Sequence, residues 1–166
     1  MSPFKKPVIL DNDVISRLYS AGALRRALEV WPKRAFYIAE HVENEARQWS
    51  AKGRELVELL KALMADNILV STSIDESSEE EIWTYARLQL EKKLGRGESA
   101  SIAIAHHRGF DIATDDEIAR DVCKAMYPSV SIFGTGDLLN MAVRDGLITR
   151  FEVDSIQAKI RRKSKP

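Results

Sequence analysis

This sequence predicts an α/β fold with a mostly parallel sheet of about five strands, on three observations. Five short apolar runs punctuate it: Val8–Leu10, Phe36–Ile38, Ile68–Val70, Phe110–Ala113 and Val130–Phe133. Between them lie longer stretches in which apolar residues return at helical spacing. The two kinds of segment alternate, and strands alternating with helices build parallel sheets joined by right-handed crossovers. A length of 166 residues suits one domain. A hydrophobic share of 45% supports a buried core rather than a disordered chain.

The runs are β-branched or aromatic and most are bounded by Asp, Asn, Gly, Pro or Ser, the pattern of buried strands. Two helices are expected between the first and second strands, where Leu24, Ala27, Leu28 and Trp31 follow helical spacing. Two more are expected before the third strand, where Leu56, Leu59, Leu60 and Leu63 do the same. Ile82, Ala86, Leu90 and Leu94 then step by four with Trp83 alongside, marking one face of a long helix, the stripe such helices turn to the core. Ser77 with Glu80, or Ser78 with Glu81, fits a capping box at its start. A short helix of small residues, Ser99–Ala105, leads to the fourth strand, and the helix Glu117–Met126 leads to the fifth. Closing helices follow, and there is no internal repeat. The expected organisation is a single domain over residues 1–158 and a basic C-terminal tail over 159–166.

Lys and Arg together number 25, as do Asp and Glu, so the formal net charge is zero. That balance argues against nucleic-acid binding through bulk positive charge. The sum hides a division: five cations and no acids lie in the last eight residues, leaving 20 cations against 25 acids before them. The single cysteine, Cys123, excludes an internal disulfide and a multi-cysteine zinc site, and reads as helix packing. No run approaches the roughly 18–20 apolar residues of a membrane span. Val8-Ile9-Leu10 stops at Asp11, short of the ~7–15-residue core of a signal peptide. A soluble cytoplasmic protein, with no membrane partner, is the expectation.

Carboxylates fall where folding does not need them. Asp11 directly follows the first strand and Asp13 comes two residues later; Asp115 and Asp116 follow the fourth strand. In open parallel sheets the carboxyl edge of the strands is where ligands bind. Glu98 follows Gly95-Arg96-Gly97 and opens the small-residue helix, and Glu45 lies one turn beyond His41 on the helix after the second strand. Carboxylates gathered in one pocket repel, and either protons or a hard cation must neutralise them. Oxygen-only ligands suit Mg²⁺ or Mn²⁺, and such an ion can activate water against a phosphodiester. Each acid also has a plainer role: Asp11, Asp13, Asp115 or Asp116 as a helix N-cap, Glu98 as a first-turn acid favoured by the helix dipole, Glu45 as a solvated helix residue. His41, His106 and His107 show no metal-ligand spacing. Only the set, in its order, points to chemistry.

At this point the residues resemble a known family. Val8-Ile9-Leu10-Asp11-Asn12-Asp13-Val14-Ile15 resembles the opening strand of PIN-domain nucleases, which ends in the family's first acid. Val42-Glu43-Asn44-Glu45 is similar to the helix that carries the second, placing it at Glu45. The most specific stretch, Leu94-Gly95-Arg96-Gly97-Glu98-Ser99-Ala100-Ser101-Ile102-Ala103, resembles a Gly-x-Gly-Glu helix start and places the third at Glu98. Ala113-Thr114-Asp115-Asp116 resembles the fourth-acid region: a Thr-x-Asp register chooses Asp116, an aspartate-pair register chooses Asp115. Phe133-Gly134-Thr135-Gly136-Asp137 and Arg144-Asp145-Gly146-Leu147-Ile148 are similar to the family's last strand-to-helix junction and closing helix. The resemblance spans roughly residues 7 to 150. The chain departs from the pattern at Asp13, where Ser or Thr is common, and at Ala39, where Pro is common.

The resemblance implies a PIN-like three-layer α/β/α fold and a metal-dependent endoribonuclease using Mg²⁺ or Mn²⁺. It makes Asp11, Glu45, Glu98 and Asp116 the catalytic set, with metal held by Asp11, Glu45, Glu98, Asp115 and Asp116. Arg17 and Arg96 are candidate RNA contacts, and the tail from Lys159 to Lys165 a possible electrostatic one. Small PIN proteins of the VapC-like group are toxins of type II toxin–antitoxin pairs. The implied partners are therefore an RNA substrate, a cognate antitoxin and a second copy in a homodimer. Two other readings stay open. Asp11-Asn12-Asp13 with the late pair Asp115-Asp116 also resembles haloacid-dehalogenase-like phosphatases, in which Asp11 would be a nucleophile. That reading lacks the usual Gly-Thr after the motif and leaves Glu45 and Glu98 without a role. The third is a catalytically degenerate PIN module that binds RNA or protein.

Overall fold

The structure is a computed structural model that describes residues 6–31, 36–48 and 51–164. Strands β1 (Val8–Leu10), β2 (Phe36–Ala39), β3 (Leu69–Thr72), β4 (Asp111–Ala113) and β5 (Ile132–Phe133) form one all-parallel sheet in the order β3-β2-β1-β4-β5. Helices α1 (Asn12–Ser20) and α2 (Leu24–Glu29) join β1 to β2, and α3 (Glu40–Arg47) and α4 (Ala51–Ala65) join β2 to β3. Helices α5 (Glu79–Glu91) and α6 (Arg96–Arg108) lead to β4, α7 (Glu117–Met126) leads to β5, and α8 (Thr135–Arg144) and α9 (Arg150–Ser164) close the chain. This is the predicted order of elements, with helices packed around the sheet as in a three-layer α/β/α fold.

The strand order reverses between β1 and β4. From β1 the chain builds outward through β2 to β3, then returns to the other side of β1 to add β4 and β5. Such a switch point opens a crevice at the carboxyl ends of the two central strands. The central strand is apolar at every position because both its faces are covered: Val8, Ile9 and Leu10 have no exposed surface. Three strands start later than the apolar runs suggest, for local reasons. Ile68 N donates to Leu63 O and closes α4, after Asn67 at φ 58°, so pairing begins at Leu69. Phe110 N donates to Ala105 O past left-handed Gly109 (φ 70°), so β4 begins at Asp111. Val130 N donates to Tyr127 O in a turn that precedes β5.

Helices α2 and α4 bury the predicted stripes: Leu24, Ala27, Leu28 and Trp31, then Leu56, Leu60 and Leu63, with Leu59 partly covered. Helix α5 does the opposite. Its stripe faces outward, with Ile82, Trp83 and Leu90 exposed, while Glu81, Thr84 and Leu88 are buried; Leu94 is buried beyond the helix end. The reason is polar pairing with α6, against which α5 packs. Thr84 Oγ1 lies 2.7 Å from His107 Nε2. The Glu81 carboxylate meets Arg108 at 2.6 and 3.2 Å and accepts from Asp75 N at 2.9 Å. Arg108 also donates to Thr72 Oγ1 and Ser73 O. Ser78 does cap α5, accepting from Glu81 N, but the reciprocal half of the box is absent because the Glu81 side chain is turned to Arg108.

Removing one member of this pair leaves a buried charge. Arg108→Ala is expected to lower stability by about 2–3 kcal/mol, and the melting temperature by roughly 5–10 °C. A thermal melt within a degree of the native chain would show that the Glu81 carboxylate is hydrated there. Helix α9 carries helical backbone through Ser164, so most of the basic C-terminal segment is helical. Lys165 and Pro166 of the tail, and the first five residues, lie outside the described residues.

Candidate active site

β1 and β4 are neighbours, so the acids that follow them meet at the switch point. Asp11 is the N-cap of α1: its Oδ1 accepts from Asn12 N at 2.8 Å, and its own N–H continues the ladder to Ala113 O at 2.9 Å. Its Oδ2 accepts from Thr114 Oγ1 at 3.0 Å. Asp13 accepts from Val14 N and from Asp115 N, at 2.8 and 2.9 Å, which ties the first turn of α1 to the end of β4. Thr114 is fully buried between these groups, and its hydroxyl also accepts from Asp116 N at 3.2 Å.

The adjacent aspartates differ in employment. Both Asp115 oxygens are engaged: Oδ1 accepts from Thr135 N at 2.9 Å, and Oδ2 takes the Thr135 hydroxyl and the Arg17 guanidinium, the latter at 2.8 Å. Close approach of Gly134 makes this tie possible, since a Cβ there would lie 2.8 Å from Asp115 Oδ1. Asp116 caps α7 through Oδ1, which accepts from Ala119 N at 2.8 Å, and no protein donor meets its Oδ2 among the described residues. Arg120 bonds Thr114 O at 3.1 Å rather than either acid.

Glu45 and Glu98 reach the same place from α3 and α6. Glu45 Oε1 accepts from Gly97 N at 3.1 Å, and Oε2 accepts from Asn12 Nδ2 at 3.4 Å. A Cβ at Gly97 would stand about 3 Å from both Glu45 oxygens and from Val42 Cγ2, so only glycine lets the start of α6 close on α3. Arg96, two residues before Glu98, is exposed.

Electrostatics confirm that the carboxyls share one field. Burial first, then the charges of Asp13 and Glu98, push Asp11 up to about 8. Burial, then Asp116, Asp13 and Glu45, push Glu98 up to about 7. Burial and the charge of Asp115 also raise Asp13. Among the described residues no three His, Cys, Asp or Glu side chains already stand as a closed ligand set. The donor chemistry nonetheless fits a hard cation. The donors are oxygens, burial and neighbouring acids raise Asp11 and Glu98, and the buried Asn12 Oδ1 beside them has no hydrogen-bond partner among the described residues.

The remaining candidates are occupied elsewhere. His41 meets Tyr85 OH at 3.1 Å, His107 meets Thr84, and His106 lies against the Tyr127 ring. Cys123 is fully buried, and burial pushes its thiol up to about 11, so it packs and is not a nucleophile. A groove of about 1050 Å³ beside α3 is lined by Glu40, His41, Asp75, Glu76, Tyr85 and Arg108, among others. Sequence reasoning gave no part to Thr114, Asn12 or Thr135. A buried threonine between Ala113 and Asp115 was the one available sign.

The parallel sheet thus opens a carboxylate-lined crevice at its switch point, the edge at which α/β folds bind ligands. A sequence-family model described as a PIN domain matches residues 7–164, and the chain belongs to the PIN-domain family, whose activity in general is hydrolysis of nucleic acid. Its fold is similar to a solved structure titled "Structure of FitAB bound to IR36 DNA fragment", at 18% identity and a TM-score of 0.50, over 77% of this chain and 94% of that one. A "Toxin-antitoxin complex from Klebsiella pneumoniae" is also similar, at 21% identity and a TM-score of 0.48, over 74% and 94%. No curated protein matches the chain. No helix among the described residues is long and apolar enough to cross a membrane.

Proposed function

We propose that this protein is an endoribonuclease that depends on Mg²⁺ or Mn²⁺ and serves as the toxin of a type II toxin–antitoxin pair. The observation that carries the reading is the convergence of Asp11, Asp13, Glu45, Glu98 and Asp116 at the crevice between β1 and β4, with Asp11 and Glu98 raised together. Asp11, Glu98 and Asp116 would hold the cation, and Glu45 would hold its waters or a second ion. The bound ion supplies activated water and neutralises charge on the phosphodiester. Asp115 braces the crevice by pinning Arg17 and the start of α8. Thr114 orients Asp11 and the Asp116 backbone, and Gly97 and Asn12 fix Glu45.

RNA enters this reading through the exposed Arg96 and, when released from Asp115, Arg17. The groove beside α3 fits the antitoxin better than RNA. Its carboxylates Glu40, Asp75 and Glu76 face a single arginine already paired with Glu81, an environment for a cationic peptide segment. A second copy of the chain completes the set of partners, in a cytoplasmic setting.

The test is cleavage of a mixed RNA substrate with Mn²⁺ or Mg²⁺, with EDTA, and with Glu98→Gln. Cleavage that disappears in EDTA and falls at least about 10²-fold in the variant is expected. Undiminished cleavage by Glu98→Gln would sink the assignment of the site. Hydrolysis of a small chromogenic phosphomonoester without RNA cleavage would favour a phosphatase. RNA binding with no metal uptake would favour a binding module.

A further inference from the structure

Most of the basic end of the chain is helix. Five cations and no acids fall in the last eight residues, and α9 carries helical backbone through Ser164. A stripe of apolar residues holds this helix down: Val153 and Ile156 are buried, and Ile160, one turn on, packs against the core. Lys159, Arg161 and Arg162 flank the end of that stripe. All three are exposed, and none makes an ion pair among the described residues.

The partners of α9 fix where these cations stand. Helix α8 opens at Thr135, directly after β5 at the carboxyl edge of the sheet, and runs away from that edge. Helix α9 packs against it and runs back. Near its start, Arg150 donates to Asn140 Oδ1 and Arg26 donates to Glu152 Oε1, each at 2.9 Å. It draws level with the start of α8 at Gln157, whose Nε2 lies 3.8 Å from where a Cβ on Gly136 would stand. The helix then continues from Gln157 to Ser164, about 10 Å of further rise. Its last turns therefore project past the carboxyl edge, the edge at which the acids gather. Arg161 is one turn beyond Gln157, on the side of α8. Because α9 also packs on α1, its end projects beside the knot in which Asp115 joins Arg17 of α1 to Thr135 of α8.

That position answers a need of the crevice. A strand lying in it brings phosphates up to Asp11, Asp13, Glu45, Glu98 and Asp116, and like charges repel. Arg17 is spent on Asp115, and Arg120 bonds Thr114 O. Cations fixed at the rim offset this repulsion, since charges within about 10 Å of one another are incompletely screened. An arm of one sign at the edge of an anionic crevice suits a polyanion that extends past the crevice.

We propose that the end of α9, carrying Lys159, Arg161 and Arg162, is a phosphate-binding arm that grips the RNA strand beyond the crevice, on the side of α1 and α8. The proposal rests on the nuclease reading for its ligand; the position and charge of the arm do not depend on it.

Anisotropy of a labelled single-stranded RNA of mixed sequence, in EDTA so that it stays intact, tests the arm on the full chain. The variant Lys159→Gln with Arg161→Gln and Arg162→Gln is expected to keep its circular dichroism spectrum and to bind at least about tenfold more weakly in low salt. Its slope of log affinity on log salt is expected to shrink by about 2, at roughly 0.7 for each phosphate contact on a single strand. Lys61→Gln with Lys124→Gln and Arg144→Gln removes as many exposed cations, from the far parts of α4, α7 and α8. That variant is expected to lose less than about threefold. With Mn²⁺, the arm variant is expected to show a raised KM and a kcat within about twofold of the native chain, the mark of binding shared by ground state and transition state. Equal losses in the two variants mean that RNA feels only net charge, and overturn the arm. Native affinity in the arm variant, or a fall in kcat alone, overturns it as well; RNA cleavage by the native chain would then leave the nuclease reading standing. A native chain that neither binds nor cleaves RNA overturns that reading and the arm together.

Discussion

Asp11→Asn is expected to abolish metal-dependent cleavage and, at the same time, to stabilise the metal-free protein. The two effects have one origin. Asp11 is buried to 1% exposure, lacks a cationic partner, and is raised to about 8 by burial and by Asp13 and Glu98. Its negative charge is thus a cost to the fold, worth on the order of 5 kcal/mol when ionised in full. Asparagine keeps the cap to Asn12 N, and the Thr114 hydroxyl can turn to accept from the new amide. The proposed site loses an anionic ligand, for which a fall of at least about 10²-fold in cleavage is expected. In EDTA at pH 8 the melting temperature of the variant is expected to rise by about 5–10 °C. A variant that loses both activity and stability would mean that this carboxylate serves the fold instead.

The metal-free protein is also expected to lose stability as pH rises through neutrality. Asp11 moves from an ordinary 3.8 to about 8, and Glu98 from 4.5 to about 7. Raised carboxyls mean that the folded state binds protons the unfolded chain has already released. Their contribution is fully present below about pH 4, declines as pH rises, and is gone above about pH 8. In EDTA, the melting temperature is expected to fall by about 10 °C between pH 5 and pH 9. On the proposed reading Mg²⁺ or Mn²⁺ would take the protons' place, so the gain on adding metal is expected to be larger at pH 8 than at pH 5. A gain of equal size at both values would mean that the ion binds away from these acids. The steepness of the fall should lessen in Asp11→Asn, which separates this cluster from every other titrating group.

Much of this was legible beforehand, and the exceptions share a cause. Strand and helix order follows from the alternation of runs such as Val8–Leu10 with stripes such as Leu56-Leu60-Leu63, because local spacing reports local geometry. The gathering of Asp11 with Asp115 and Asp116 follows from acids placed directly after strands that turn out to be neighbours. What spacing cannot report is a partner far along the chain. Asp115 and Asp116 are alike in sequence, and Thr135, twenty residues on, is what engages the first. The stripe of α5 has the period of a buried face, yet His107 and Arg108 draw its polar face inward.

Several helices begin at the acid cluster: α1 capped by Asp11, α7 by Asp116, α8 opening at Thr135 beneath Asp115, and α6 carrying Glu98 in its first turn. Each start offers a fraction of a positive charge and unpaired N–H groups, worth about 0.3–1 kcal/mol apiece to a nearby anion. These helix starts soften the mutual repulsion of the acids without any ion. On the proposed reading, the chain would reach its native topology before meeting metal, and cleavage would then follow the concentration of free divalent ion.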